Sequence, residues 1–463
     1  MNPSKEKLKK IYFIGIGGSG MSGLAELLFN LGYQVTGSDI NKSTITDRLN
    51  DLGVNLKIGH EITNLDDAEM VIKSSAILET NVELIHARKL GLPILERAEL
   101  LSSLMNMKRG IAVAGTHGKT TTTSILASIM TEALLDPTII NGGIINSFAS
   151  NAKLGTGNYL IAEADESDKS FLMLQPSLEI ITNIDSDHLV NYEGSMSNLE
   201  QSFIEFIKKL PFNGLLVACG DDPIIKKLVH SFPRKTILYG FEEHNDYRID
   251  DYKTKFFSSE FSLSNKQGSV SKFELNLPGQ HNVLNAAAAS VLAIEEGISL
   301  INIKTALKKF SGINRRMELL GKLNEITVID DYGHHPTEIK NTLITLKECL
   351  PEEEITMIFQ PHRYTRTKDL FNEFIDVLSK VERLILLEVY SAGEKAIKGI
   401  NSQSILEAIK NKGKKKLFFA SSIEHAIELT ETFIPNEKGI LLIQGAGSIS
   451  KISQELLEKI GKQ

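Results

Sequence analysis

Cysteine is almost missing from this chain of 463 residues: Cys219 and Cys349 stand alone, far apart and in apolar surroundings. That scarcity excludes a disulfide framework and a cysteine-built metal cluster, and it fits a reducing, cytoplasmic compartment. No apolar run reaches the roughly 20 residues of a membrane helix, so no membrane partner is expected. The basic stretch 1–10 runs into a short apolar segment soon broken by glycines, which reads as the approach to a first strand and not as a signal peptide. An excess of positive charge is lacking too: 51 basic against 58 acidic residues leave −7. This gives no general pull toward nucleic acid or an anionic bilayer, so any anion site has to be local. Internal repeats and low-complexity tracts are also absent. What remains is an ordinary globular composition with length for two to four domains.

What is present is a repeated alternation of strand and helix patterns, which predicts an α/β protein of three domains. Residues 1–107 read as a Rossmann-like parallel sheet, with strands over 11–14, 33–39, 52–58, 70–73 and 93–95. Residues 108–314 read as a P-loop ATPase-like domain, with strands over 110–114, 159–162, 179–182, 215–218 and 236–239 and a polar, β-rich stretch over 247–277. Residues 315–463 read as a second Rossmann-like α/β domain, with strands over 326–330, 356–359, 384–387, 417–419 and 439–444.

Two glycine-rich loops carry the first chemical signal. Val113-Ala114-Gly115-Thr116-His117-Gly118-Lys119-Thr120-Thr121 joins an apolar strand to a helical pattern. It has the parts of a phosphate cradle: bare backbone N–H groups, a helix N-terminus, a lysine and a hydroxyl suited to Mg²⁺. The usual spacing would place glycine at 113, where this chain has valine, so the loop is tighter than most. The other loop, Gly15-Ile16-Gly17-Gly18-Ser19-Gly20-Met21, matches G-x-G-x-x-G, with Asp39 ending the next strand 19 residues beyond Gly20. Alone it suggests a dinucleotide with Asp39 on a ribose hydroxyl. Physically it votes for a diphosphate at a helix N-terminus, and a nucleotide sugar has one too.

Acidic and basic groups gather at predicted strand ends. Glu163-Ala164-Asp165-Glu166-Ser167-Asp168 and Thr182-Asn183-Ile184-Asp185-Ser186-Asp187-His188 follow two strands of the same segment as the P-loop. Together they favour a metal-assisted phosphoryl site. Asp330-Asp331-Tyr332-Gly333-His334-His335-Pro336-Thr337-Glu338 follows a strand of the third segment. Adjacent histidines rarely ligate one ion together, and no cysteine or third histidine stands at ligand spacing, so zinc is set aside. After the next strand comes Gln360-Pro361-His362-Arg363-Tyr364-Thr365-Arg366, whose arginines at i and i+3 are expected on one face, as a clamp for a carboxylate or phosphate.

These motifs, together with His281-Asn282 and Arg315-Arg316, resemble in order and spacing the Mur ligases of peptidoglycan synthesis, over nearly the whole chain. The combination of Gly-Gly-x-Gly-Met, Glu-Ala-Asp-Glu-Ser-Asp and Asp-Tyr-Gly-His-His-Pro is more particular to the member that joins L-alanine to UDP-N-acetylmuramate. The resemblance implies ATP-dependent amide-bond synthesis through an acyl phosphate, with Mg²⁺ or Mn²⁺. It implies Gly115 to Thr121 around the phosphates, with Lys119 on the β- and γ-phosphates. Thr120, Glu163 and His188 would be metal ligands, with Glu166 the alternative to Glu163, and His188 a candidate base. Asn282 and Asn285 would lie near the adenine, and Arg316 and Asp331 would reach ATP. Tyr332, His334, His362, Arg363 and Arg366 would face the muramate and amino-acid end. The loop with Gly15, Gly17, Gly18, Gly20, Met21 and Asp39 would take a UDP-sugar. A monomer or weak homodimer is expected. Several sister ligases carry a carbamylated lysine after the Asp-His motif; the comparable stretch 198–206 has Phe203 and Phe206 and no lysine, so none is expected here.

Three rival readings stay open at this stage. An NAD(P) oxidoreductase leaves the P-loop and the acidic motifs unexplained. A nucleotide-gated regulator would bind both nucleotides without turnover. A recycling ligase would attach a whole tripeptide to the same muramate.

Overall fold

In the computed structural model the described residues are 9–65, 67–145, 150–187, 189–230, 232–413, 416–433 and 438–460. They form a three-domain α/β architecture built on three sheets. Packing gathers the chain into two compact units, one of residues 1–252, 261–275 and 282–311, the other of 253–260, 276–281 and 312–463.

The first unit holds the N-terminal sheet and most of the central sheet. The N-terminal sheet comprises β1 (Lys10–Ile14), β2 (Gln34–Asp39), β3 (Asn55–Ile58), β4 (Met70–Lys73) and β5 (Ile94–Glu96), in the order β3-β2-β1-β4-β5. All its pairs are parallel. The order reverses between β1 and β4, so the loops after these strands diverge and leave a crevice at the C-terminal edge. The first glycine loop follows β1.

The central sheet runs β15-β14-β13-β12-β11-β10-β6-β9-β7-β8. Its strands are β6 (Arg109–Ala114), β7 (Thr138–Ile145), β8 (Ser150–Lys153), β9 (Tyr159–Glu163), β10 (Leu178–Ile181), β11 (Leu215–Cys219), β12 (Lys235–Gly240), β13 (Tyr247–Lys255), β14 (Ser258–Asn265) and β15 (Gly268–Leu275). The P-loop follows β6, and β6 lies between β10 and β9, parallel to both. The two acidic motifs follow these flanking strands, so the topology alone brings all three loops to one edge. The strand pair β7 and β8 has no counterpart in the sequence reading. The polar stretch 247–277 becomes the three strands at the far edge.

In the second unit the sheet order is β16-β17-β21-β18-β19-β20, with β16 (Glu318–Leu323), β17 (Ile326–Asp331), β18 (Ile355–Phe359), β19 (Arg383–Leu387), β20 (Leu417–Ala420) and β21 (Gly439–Gln444). Only the edge strand β16 is antiparallel; the pairs from β17 to β20 are parallel. Strand β21 separates β17 from β18, so it stands between the two strands that carry the Asp-Tyr-Gly-His-His and Gln-Pro-His-Arg motifs.

Helix starts divide into two kinds. Ser43, Asn81, Ser195, Asp222, Ser299 and Asn401 accept backbone N–H groups through their side chains. Such caps contribute about 0.5–2 kcal/mol each. The helices Ser19–Asn30 and Lys119–Glu132 instead start at Gly18 and Gly118, with no side-chain cap. Their first-turn N–H groups therefore face whatever fills the loop.

Candidate active site

The P-loop conformation depends on its two glycines. Gly115 has φ +128° and Gly118 φ +82°. A Cβ at 115 would collide with Thr182 Oγ1, and one at 118 with Asn285 Oδ1. The loop after β10 braces this turn. Asn183 accepts the His117 N–H through Oδ1 at 2.8 Å, and its Nδ2 donates to the His117 carbonyl at 3.0 Å. Thr182 Oγ1 donates to the same carbonyl at 2.6 Å, and the Asp185 N–H donates to Thr116 Oγ1 at 2.8 Å. The His117 ring lies 3.2 Å from Asp185. From the helix Gln280–Glu295, Asn285 accepts the Thr122 hydroxyl at 3.2 Å, so it packs under the loop; Asn282 is buried beside it in sequence. Thr121 is buried, and the Thr120 carbonyl accepts Ser124 Oγ at 2.7 Å.

Lys119 folds back over its own loop. Its ammonium donates to the carbonyls of Gly115 at 2.6 Å and Thr116 at 3.1 Å, and pairs with Glu166 at 2.7 Å. Burial works against the charge on Lys119, but Glu166, Asp165 and Glu163 outweigh it and its pKa is raised. Burial pushes the Glu166 carboxyl up to about 7 although Lys119 opposes this. Asp165 is held below its ordinary value: burial opposes ionisation, and Lys119, hydrogen bonds from Ser167 and the charge of Arg97 overcome it. Of the two candidate glutamates, then, Glu166 is the counter-ion of Lys119. Glu163 ends β9, and its buried Oε1 has no hydrogen-bond partner among the described residues. His188 lies outside the described residues. Phe203 and Phe206 are fully buried and pack their rings on Phe171, just after the acidic loop, while the Tyr192 hydroxyl donates to the Glu166 carbonyl at 2.5 Å.

The first glycine loop and the acidic loop share one cleft. A cavity of about 220 Å³ is lined by Gly18, Gly20 and Met21 of the first loop, Ser74 and Ser75 after β4, and Glu163, Asp165 and Asp168 of the acidic loop. Arg97, which sequence reasoning passed over, is the one cation lining it among the described residues. Asp39 turns inward to the loop itself: Oδ2 accepts the Gly17 N–H at 2.8 Å and Oδ1 accepts Asn41 N–H at 3.2 Å. Gly15 has φ +78° and its N–H donates to the Ser38 carbonyl at 2.9 Å.

In the second unit, Asp331 is buried and accepts four hydrogen bonds. Its partners are Gly333 N at 2.9 Å, Met317 N at 2.9 Å, Gln444 Nε2 at 2.7 Å and Thr342 Oγ1 at 3.3 Å. Burial raises its pKa against the pull of Arg316. Gln444 was not visible as a site residue because its partner strand lies more than a hundred residues away in sequence. Arg315 and Arg316 both lie over the Tyr332 ring, 5.3 and 5.0 Å from its centre. Arg316 also stands 3.6 Å from Glu338. Burial, reinforced by Arg316 and opposed by Glu338, pushes the His281 imidazole down to about 4. Tyr332, His334, His362 and Tyr390 form a row of rings with centroids 5.5 to 5.6 Å apart.

The arginine pair does not share a helical face. The helix Tyr364–Asp369 starts one residue after Arg363, which has φ +72°. Arg363 is half-exposed and 4.0 Å from Glu394, whereas Arg366 is buried with Nη1 3.4 Å from His362 Nδ1. The i, i+3 rule needs both residues inside one helix, and here Arg363 is the N-cap, outside the helix.

A P-loop with two acidic strand ends on one sheet edge, and a glycine loop after β1 of another sheet, make a nucleotide-binding α/β fold, and sequence comparison gives the class. The family described as the Mur ligase family, catalytic domain, matches residues 10–109; the Mur ligase middle domain matches 113–293; the Mur ligase, glutamate ligase domain, matches 315–447. The chain belongs to the Mur ligase family of ATP-dependent, amide-forming ligases. It is similar to the UDP-N-acetylmuramate-alanine ligase of Thermotoga maritima, at 31% identity over 98% of this chain and 99% of that one, with a TM-score of 0.84. A murein peptide ligase of Psychrobacter arcticus is 25% identical over 98% and 99%, with a TM-score of 0.72. The MurF ligase of Thermotoga maritima, solved in complex with ADP, shares the fold at 17% identity over 92% and 95%, with a TM-score of 0.62.

Proposed function

We infer that the chain joins UDP-N-acetylmuramate to L-alanine at the expense of ATP, in peptidoglycan biosynthesis. The observation that carries this reading is the cleft in which the first glycine loop faces the acidic loop tied to Lys119. On this reading the diphosphate-bearing acid lies on the side of the acidic loop that is tied to Lys119. The 31% identity to an alanine-adding ligase supports the choice of acceptor.

The chemistry follows from what a carboxylate lacks. It is a poor acceptor for an amine, because its oxygens are poor leaving groups. The muramate carboxylate oxygen attacks the γ-phosphorus, the bond to the β–γ bridging oxygen breaks, and ADP leaves behind an acyl phosphate. The neutral amine of L-alanine then attacks the acyl carbon; the C–N bond forms, the amine loses a proton and inorganic phosphate departs. Lys119 takes the γ-phosphate in place of its present partner Glu166 and offsets the charge that builds on the transferring group. Thr120, Glu163 and His188 would hold a divalent cation, Mg²⁺ or Mn²⁺, and the unpartnered Oε1 of Glu163 fits that role. Such a cation neutralises phosphate charge when bound. Asn282 and Asn285 take the adenine side, and Arg316 and Asp331 reach the same nucleotide. Tyr332, His334, His362, Arg363 and Arg366 receive the amino acid and the muramate end, while Gly15, Gly17, Gly18, Gly20, Met21 and Asp39 take the UDP part.

Initial rates of phosphate release test this. L-Alanine, glycine, L-serine and the free tripeptide are offered in turn with UDP-N-acetylmuramate and ATP. L-Alanine is expected to give the highest kcat/KM, and release is expected to require all three substrates. Preference for the tripeptide would convert the reading to the recycling ligase, to which the 25% identical murein peptide ligase is the pointer. Release without an amino acid would remove the ligase reading.

A further inference from the structure

Arg97 is the first residue of the helix Arg97–Asn106, which follows β5. It is partly buried and, among the described residues, is the one cation on a cleft wall that carries Glu163, Asp165 and Asp168. Its Nη2 donates to Ser170 Oγ at 3.2 Å. No other hydrogen bond engages the guanidinium among the described residues. A guanidinium has five N–H donors in a planar fork suited to phosphate oxygens, so most of its donor capacity is unspent.

Gly20 is what seats it there. A Cβ at residue 20 would stand 3.1 Å from Nη1 and 3.2 Å from Cδ of Arg97. A side chain there would push the guanidinium off the first turn of Ser19–Asn30 by a few tenths of an ångström, and that turn starts at Gly18 without a side-chain cap. The last glycine of the G-x-G-x-x-G run thus has a local task besides packing: it keeps a cation beside the helix N-terminus. The electrostatics need one. Three carboxylates face an uncapped helix start whose partial positive charge is about half a unit, too little alone to hold a diphosphate against them.

We propose that Arg97 is the anion anchor of this cleft: it binds the diphosphate of the nucleotide sugar over the first turn of Ser19–Asn30, and Ser170 fixes the plane of its guanidinium. This rests on the reading of the first glycine loop as a UDP-sugar site. The diphosphate is then clamped between backbone N–H groups of one loop and a side chain tethered to the acidic loop, which registers the sugar acid against the P-loop.

The test is calorimetric titration of the full chain and of Arg97→Ala, Arg97→Lys and Gly20→Ala with UDP and with uridine, alongside the KM for ATP. Losing a charged hydrogen-bond donor predicts that Arg97→Ala binds UDP about 10- to 100-fold more weakly. Uridine affinity and the KM for ATP are expected to stay at wild-type values. Arg97→Lys recovers part of the UDP affinity, Gly20→Ala loses it in the same direction, and added methylguanidinium restores binding to Arg97→Ala. Wild-type affinity for UDP in Arg97→Ala would overturn the proposal alone, as would parallel losses for uridine and ATP, which mark a structural role. A wild-type chain that takes up no UDP would sink the proposal together with the UDP-sugar reading beneath it.

Discussion

Glu179 is a residue whose chemistry opposes its position. It lies in β10, a central strand, fully buried, and neither carboxyl oxygen has a hydrogen-bond partner among the described residues. Burial alone pushes its pKa well above 4.5. At pH below 4.5 the carboxyl is protonated in both folded and unfolded chains and does not bias folding. Above it the unfolded chain releases the proton while the folded chain keeps it, so stability falls as pH rises toward the native value. Glu179→Leu is expected to flatten this slope and to raise stability at pH 8 by about 1–3 kcal/mol, the penalty of an unsatisfied buried polar group. Urea unfolding of both proteins at pH 5 and pH 8 measures it; parallel losses between the two pH values in both proteins would contradict it. A charge at the head of Glu179-Ile180-Ile181 reads in sequence as the rim of a strand. The strand starts at Leu178, with neighbours on both sides, and that is what encloses the side chain.

At the scale of elements, the loop after β10 changes meaning. In sequence Thr182 to Asp187 reads as part of a metal site. In the structure Thr182, Asn183 and Asp185 hold the backbone of the P-loop. Asn183→Ala removes two of these hydrogen bonds. At about 1 kcal/mol each, the KM for ATP is expected to rise about 10- to 30-fold. Steady-state rates with ATP varied and the other substrates saturating report this; an unchanged KM would show that the loop keeps its shape without the brace. The Phe203 and Phe206 pair has a similar place: the helix Met196–Ile207 meets Phe171 through them and so supports the turn that follows the acidic loop.

At the scale of the whole molecule the two nucleotide loops belong to different sheets of one compact unit. We place domain boundaries at 107/108 and 314/315, so that each loop has its own domain. Lys119→Ala is then expected to lower turnover by at least about 10²- to 10³-fold, the usual loss when a charge-stabilising donor goes. UDP-sugar affinity, read by calorimetry, is expected to stay close to wild type. An equal collapse of both would mean that the two loops do not serve separate nucleotides. The same substitution leaves Glu166 buried without its cation, so its pKa is expected to rise further.

Sequence by itself determined the elements and the chemistry they carry. Periodicity and turn residues placed most strands to within a few residues, because parallel strands covered on both faces are continuous apolar runs. Fixed spacings named the glycine loops, Lys119 and the strand-end acids, because a phosphate cradle demands them locally. Tertiary structure decided which of those groups face one another. Strand order, which no local pattern encodes, put β9 and β10 beside β6 and β21 between β17 and β18. That order assigned Glu166 to Lys119 and left Glu163 on the cleft, and it brought in Gln444 and Arg97, which stand in no motif. It also parted Arg363 from Arg366, since Arg363 stands at φ +72° just outside the helix that holds Arg366.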